Sequence, residues 1–265
     1  MSNPDRFRIS TTLLHDGPSA WANLGLWQSA GQDYVSAATA LADWHWQLAS
    51  PATGTCLLDA GCGYGASLHY WQSLDSTLKL TALECQPACL KQLHKDGWPA
   101  IDGRFDTIAL PPSLLSASQD TLICLDAAYH ARSLLHFARF ASQVLRPGGV
   151  LVFSTLLVPQ NVKASIRLLL RAAGLPRGSQ VDASELQGEL EQVGLQSVEL
   201  IDLDAEGEGV LRGFAAYTQR RAGELTLRQR LSAEWLKIEL TGQLCAKLSA
   251  QPGLRYVLIR AVLRP

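Results

Sequence analysis

The sequence predicts an α/β fold: a doubly wound, mostly parallel sheet in a Rossmann-like arrangement, with a helical cap. Three observations carry that expectation. From Cys56 onward, short β-type runs alternate with helical patterns, as a parallel sheet covered on both faces requires. A glycine-rich turn, DAGCGYG at residues 59–65, falls between the first such run and the first helical stretch. With 265 residues, the chain is long enough to bury one substantial core.

Taken in order, residues 33–50 (DYVSAATALADWHWQLAS) read as a helix ahead of the first strand. Strands are predicted at CLLDA (56–60), LTALE (80–84), FDTIAL (105–110), TLICLD (121–126) and VLVFSTL (150–156). Helices are predicted over 65–74, 87–95 and 131–145. Pro147 cannot continue the third, and Gly148 and Gly149 supply the turn into the next strand. Two more helices are read over 160–173 and 183–193, and YVLIRAVL (256–263) reads as a closing strand. Most of the stretch from 205 to 252 has helical spacing and reads as an insertion. The expected organisation is a helical cap over 1–50 and a main domain over 51–265 carrying that insertion.

Composition narrows the function classes. Lys and Arg number 23 against 24 Asp and Glu, a net charge of −1 that gives no reason to expect nucleic acid as a partner and leaves a small molecule as the default. Six cysteines form no disulfide framework, since Cys56 and Cys124 lie in apolar strand-like runs. Cys85 and Cys89 lack the second pair that a four-ligand zinc site needs, so no metal is expected. The N-terminus lacks the apolar core of a signal peptide, and no run approaches the roughly 18 apolar residues of a membrane span. A soluble, cytoplasmic protein is the expectation; oligomeric state is not legible.

The glycine turn satisfies the loose dinucleotide pattern G-x-G-x-x-G/A at Gly61–Ala66, so an NAD-dependent oxidoreductase is one reading. Asp59 argues for another. A carboxylate at the strand's end suits a ligand with a cationic amine and repels a pyrophosphate. Glu84, ending the second strand, is placed to accept hydrogen bonds from both ribose hydroxyls of an adenosine cofactor.

LLDAGCGYG, LTALE, FDTIALP, LICLDAAYH and VLRPGGVLVFS, in that order over residues 55–157, resemble the class I S-adenosylmethionine-dependent methyltransferases. The nearest likeness is to the branch that includes tocopherol, ubiquinone/menaquinone and natural-product methyltransferases, and NLGLW (23–27) is similar to that branch's NxGYW. The resemblance implies S-adenosyl-L-methionine as cofactor, with Asp59, Gly61, Cys62 and Gly63 around its methionine part and Glu84 on the ribose. It also implies Asp106 facing the adenine amino group, Thr107 beside the ring, and Asp126 near the sulfonium and the substrate. The pattern departs from the family after Pro111, where PSLLSASQD replaces the usual acidic turn.

Methyl transfer is an in-line displacement that asks an enzyme to align the nucleophile, exclude water and manage one proton. His130, just past the fourth strand, is the candidate base, with capping or core packing as its alternative. Tyr129 and Trp27 are candidates to contact the substrate; each could equally pack. Lys163, Arg167 and Arg171 form a cationic stripe opposite Ile166 and Leu170. That stripe, like the group Arg220, Arg221, Arg228 and Arg230, reads as a solvated face. The expected function is methylation of a small molecule at oxygen or carbon, in natural-product or quinone-type metabolism. A non-catalytic S-adenosylmethionine-binding partner protein is the remaining alternative.

Overall fold

The computed structural model describes residues 10–17, 19–107, 109–205 and 207–265. Seven strands form one sheet: β1 (Cys56–Ala60), β2 (Lys79–Glu84), β3 (Ala100–Asp102), β4 (Gln119–Cys124), β5 (Leu145–Leu157), β6 (Leu195–Asp202) and β7 (Arg255–Leu263). Their order is β3-β2-β1-β4-β5-β7-β6. Pairings from β3 through β5 are parallel, and β7 runs antiparallel to both β5 and β6.

Successive strand residues point to opposite faces, and the core divides accordingly. Leu57, Ala82, Ile123 and Val152 join one buried cluster; Leu58, Leu83, Leu122 and Leu151 join the other. Ahead of the sheet come α1 (Thr11–Leu14) and α2 (Tyr34–Ala49), the latter capped by the Asp33 side chain, which accepts from Ser36 N. The crossovers carry α3 (Ala66–Leu74), α4 (Pro87–Lys95), α5 (Leu134–Val144), α6 (Ala164–Ala172) and α7 (Ala183–Gln192). Pro87 sits in the first turn of α4, and the Ser133 hydroxyl caps α5. Asp182 and Glu185 close a reciprocal capping box on α7. Between β6 and β7 lie α8 (Leu211–Glu224), α9 (Leu227–Arg230) and α10 (Ala233–Ser249), with α8 packed along α10. Gly242 makes that packing close: a Cβ there would stand 2.0 Å from Thr218 Oγ1.

Three expectations need correction. Of FDTIAL the described residues, 105–107 and 109–110, form no strand; β3 ends at Asp102, and the Asp106 side chain turns inward to Arg104. LQSVELID, unassigned from sequence, is strand β6. Residues 34–49 do not cap the molecule: Ala37, Ala38, Leu41 and Ala42 are fully buried, and α2 packs on β4, β5 and β7. The shorter strap before it, residues 19–27, contributes residues 20–24 to the strand-end cavity.

Candidate functional site

Strand order reverses direction between β1 and β4, and the crevice outside the C-terminal ends of such strands is where open α/β sheets bind ligands. A cavity of about 510 Å³ lies there. Its floor is the turn after β1 (Gly61, Cys62, Gly63), Glu84 from β2, and Asp126, Tyr129 and His130 after β4. Its roof comes from the strap (Trp21, Asn23, Leu24), and its outer wall from α6, α8 and α10. A more open groove of about 720 Å³ shares Ala20, Trp21 and Tyr64 with it and carries none of the candidate residues.

The three glycines of the turn serve different ends. Gly61 has φ +77°, and a Cβ there would stand 2.9 Å from Ala127 Cβ and 3.0 Å from Phe105 Cε1. Gly65 has φ +85°, and its Cβ would meet Leu93 Cδ2 at 2.7 Å. Both are glycine because the protein itself fills the space. Gly63, at φ +57°, has nothing within 4 Å of its missing Cβ and lines the cavity, so a ligand can approach its backbone. Its N–H donates to Glu84 Oε2 at 2.9 Å, while Cys85 and Gln86 N–H groups donate to Oε1. A carboxylate has about four lone-pair sites, and three are taken. Glu84 therefore keeps one acceptor site, enough for one ribose hydroxyl where sequence suggested both. Cys62 lines the cavity with a thiol that burial pushes well up, so it is a neutral wall group.

Asp59 is fully buried beneath the turn and does not line the cavity. Its Oδ2 accepts from Trp71 Nε1 at 3.0 Å, and its Oδ1 has no hydrogen-bond partner. Burial raises the carboxyl to about 6, against the pull of Ser67 and Trp71. Ser67, one turn into α3, does line the cavity and stands between Asp59 and any ligand. An open Gly63 and the spare Glu84 acceptor on the cavity wall fit the ribose side of an adenosine cofactor.

Asp126 is the hub of the other wall. It has φ +54°, and its N–H donates to Ser154 Oγ. Its carboxylate accepts from Leu24 N, Tyr129 Oη and Tyr256 Oη, and Tyr256 Oη also reaches Ser154. Burial pushes Asp126 up to about 6, against those donors. Holding three donors, it positions the strap and Tyr129 on the cavity wall. His130 lines the cavity, and its Nδ1 lies 3.1 Å from the Gly174 carbonyl. That oxygen can only accept, so Nδ1 donates, and Nε2 is the nitrogen that can act as acceptor when the ring is neutral.

The remaining candidates lie elsewhere. Asp106 is fully buried and forms a two-point ion pair with Arg104 at 2.8 and 2.9 Å, and it accepts Arg132 N at 2.7 Å. Burial would raise its carboxyl, and those three donors outweigh burial and hold it below its ordinary value. It ties loop to loop and is not on the cavity wall, so it does not face a ligand; neither does Thr107, whose hydroxyl donates to Arg104 O. Trp27 is also not a substrate contact. It is 2 % exposed, stacks on Tyr217 at 4.9 Å, and donates Nε1–H to Leu24 O. Arg221 is no solvated cation but is buried, pairing with Asp16 and Glu224. Residues that sequence reasoning missed are Ser67, Trp71, Ser154 and Tyr256, together with the α10 wall.

Residues 58–153 match the family model described as methyltransferase domain. A tRNA U34 carboxymethyltransferase of Hydrogenovibrio crunogenus is 30 % identical over 178 residues, 61 % of this chain and 52 % of that one. A ubiquinone biosynthesis O-methyltransferase of Paracidovorax citrulli is 27 % identical over 136 residues, 49 % of this chain and 56 % of that one. The chain thus spans about half the length of these curated relatives. Among solved structures, a cyclopropane synthase from Mycobacterium tuberculosis superposes with a TM-score of 0.75 at 15 % identity, covering 98 % of both chains. At that identity the likeness speaks for the fold.

Proposed function

We propose that this chain, whose residues 58–153 match the methyltransferase-domain family model, transfers a methyl group from S-adenosylmethionine to oxygen or carbon of a small, largely apolar acceptor. The observation that carries the reading is the two-sided cavity. One side offers Gly63 and the spare acceptor site of Glu84; the other is walled by Leu156, Leu175, Leu211, Leu244 and Leu248. A volume near 510 Å³ falls in the range of small-ligand sites, about 300–1,000 Å³. The name of the Paracidovorax citrulli relative supports a quinone-type acceptor. The tRNA-directed name of the Hydrogenovibrio crunogenus relative points instead to RNA, which the five leucines of that wall favour less than an apolar acceptor.

When bound, S-adenosylmethionine supplies a methyl group on a sulfonium that is open to in-line displacement. Glu84 receives a ribose hydroxyl. The strap, held by Asp126 through Leu24 N, keeps water from the reacting side. His130, oriented by the Gly174 carbonyl, takes the acceptor's proton at Nε2.

The test is calorimetric titration of the full chain with S-adenosylhomocysteine and, separately, NADH. Saturable binding of the first alone, weakened in Glu84→Gln, is expected; binding of NADH alone overturns the cofactor assignment. Methyl transfer from labelled S-adenosylmethionine is then measured to hydroxylated quinones and phenols beside bulk tRNA. Label in RNA alone overturns the small acceptor.

A further inference from the structure

Six residues of α10 line the cavity, and they share one face of the helix. Lys237, Leu240, Thr241, Leu244, Cys245 and Leu248 follow one another in three- and four-residue steps. Exposure falls along this stripe. Leu240 is 63 % exposed and Lys237 half-buried, whereas Cys245 and Leu248 are 3 % and 2 % exposed. The stripe therefore runs from the mouth of the cavity inward, with Lys237 at its outer end. Burial, and after it the charge of Asp126, push the Cys245 thiol well up, so the inner end lies toward the wall that carries Asp126.

The sign of the charge at the mouth is set by one residue. Among the described residues that line the cavity, Lys237 is the one Lys or Arg. The two acids on the wall, Glu84 and Asp126, each accept three hydrogen bonds from the protein itself. Glu234, one turn before Lys237, opens onto the neighbouring groove and not onto this cavity. The Thr241 hydroxyl donates to the Lys237 carbonyl, so the lysine is the group of this stripe suited to meet a charged ligand.

We infer that the methyl acceptor is an amphiphilic anion, whose carboxylate or phosphate is received by Lys237 at the mouth while its apolar body lies along Leu240, Leu244 and Leu248. This names the acceptor class of the function proposed above and rests on that reading. An ammonium is a compact charge with three donors, and it serves either head group. Lys237 and Cys245 are separated by about 12 Å along the helix axis. The charged group and the methylated atom therefore belong to opposite ends of the acceptor. A cationic acceptor would set its charge against the lysine. An uncharged one would leave Lys237 to cover leucine with its stem and keep its ammonium in water.

The experiment is displacement of a fluorescent apolar dye from the full chain, with and without S-adenosylhomocysteine, at about pH 8, where a carboxylate is ionised. The competitors share one alkyl chain: decanoate, decyl phosphate, decanol and decyltrimethylammonium. Titration with S-adenosylhomocysteine and circular dichroism are run on the same samples. At least one of the anions should compete roughly 10-fold better than decanol, with decyltrimethylammonium weakest, and the stronger anion identifies the head group. Lys237→Gln should abolish that advantage while decanol, S-adenosylhomocysteine and the circular dichroism stay as in the wild type. Lys237→Arg should restore it. The wild-type ratio of anion to decanol is a test in itself, independent of how any variant folds. Equal competition by decanoate, decyl phosphate and decanol overturns the inference and leaves an apolar acceptor in place. An anion advantage that survives in Lys237→Gln overturns it too, as does a Lys237→Gln protein that loses S-adenosylhomocysteine, which would assign the lysine to the cofactor. A lysine-dependent anion advantage in a chain that does not bind S-adenosylhomocysteine refutes the cofactor assignment and leaves the anion site standing.

Discussion

Replacing Asp59 with Asn should stabilise the protein at neutral pH, by an amount that the fold itself sets. In the native state this carboxyl is fully buried and titrates at about 6, against an ordinary 3.8. At about 1.36 kcal/mol per pH unit, that gap corresponds to a cost of about 3 kcal/mol once both states are ionised. The sign follows from which state holds the proton. Below about pH 4 both forms are protonated and the acid costs nothing. Between about 4 and 6 the unfolded chain releases its proton while the fold retains it, so stability falls as pH rises. Above about 6 the fold ionises too, and the cost levels off. Asn does not titrate; its carbonyl can accept from Trp71 Nε1 in place of Oδ2. Its amide nitrogen would occupy the position of the unpartnered Oδ1, an effect that is the same at every pH. Urea unfolding of both proteins from pH 4 to 8 isolates the effect, because Asp126 and every other shared acid cancels in the difference. The variant should gain about 2.5 kcal/mol on the wild type between the ends of that range, because the unfolded acid is already partly ionised at pH 4. A difference that is flat with pH, or that moves the other way, would refute the burial argument.

Gly61→Ala should cost about 1–3 kcal/mol, seen as a lower Tm, because its Cβ would collide with Ala127 and Phe105. Gly63→Ala has open space and should lose only about 1 kcal/mol, while weakening S-adenosylhomocysteine binding in calorimetry. Trp27→Ala should cost about 3–5 kcal/mol, since the ring is buried against Tyr217 and Gly213, and cofactor affinity measured at a temperature where the variant is folded should be unchanged. His130→Ala should slow turnover of the acceptor found in the methylation screen by roughly 10²-fold with cofactor affinity intact. An unchanged rate removes His130 as the base.

What sequence could and could not show follows from the range of the interactions. The stretch from Cys56 to Lys95 was legible because β1, α3, β2 and α4 are defined by local period and by Gly65 and Pro87 at the helix starts. β3 was displaced onto FDTIAL because apolar alternation there imitates a strand, and the ion pair that draws Asp106 inward was not weighed. β6 was readable in principle: Val198 and Leu200 alternate with polar neighbours, the pattern of a half-exposed strand. The site divides the same way. Gly63 and Glu84 sit at strand ends, which a sequence reader can place. Tyr256 and Ser154 reach Asp126 from 130 and 28 residues away, and no local pattern announces that meeting. Trp27 was ambiguous for the same reason, because its partners Tyr217 and Gly213 belong to the far end of the chain.

Those long-range contacts also explain why the site carries its strain where it does. Asp59 and Asp126 are both held near 6 by burial, and both stand at the C-terminal ends of the two strands that flank the crevice. Two such acids cost stability that apolar residues would not, and perturbed acids of this kind concentrate at sites that bind or react. Their surroundings assign them different tasks. Asp59 keeps an oxygen without a partner beneath Ser67, suited to a cationic group above the turn. Asp126 has its donors supplied from three elements: the strap, the turn after β4 and strand β7. Losing the strap contact would leave Leu24 N–H facing an open cavity, so the roof and the far edge of the sheet are coupled through one carboxylate. A β7 that runs antiparallel between β5 and β6 is what brings Tyr256 to that point, and the helices α8 and α10 leading into β7 supply Leu211, Leu244 and Leu248 of the leucine wall. The same excursion of the chain therefore completes the hydrogen-bonded hub and adds three of the five leucines on the apolar side of the cavity.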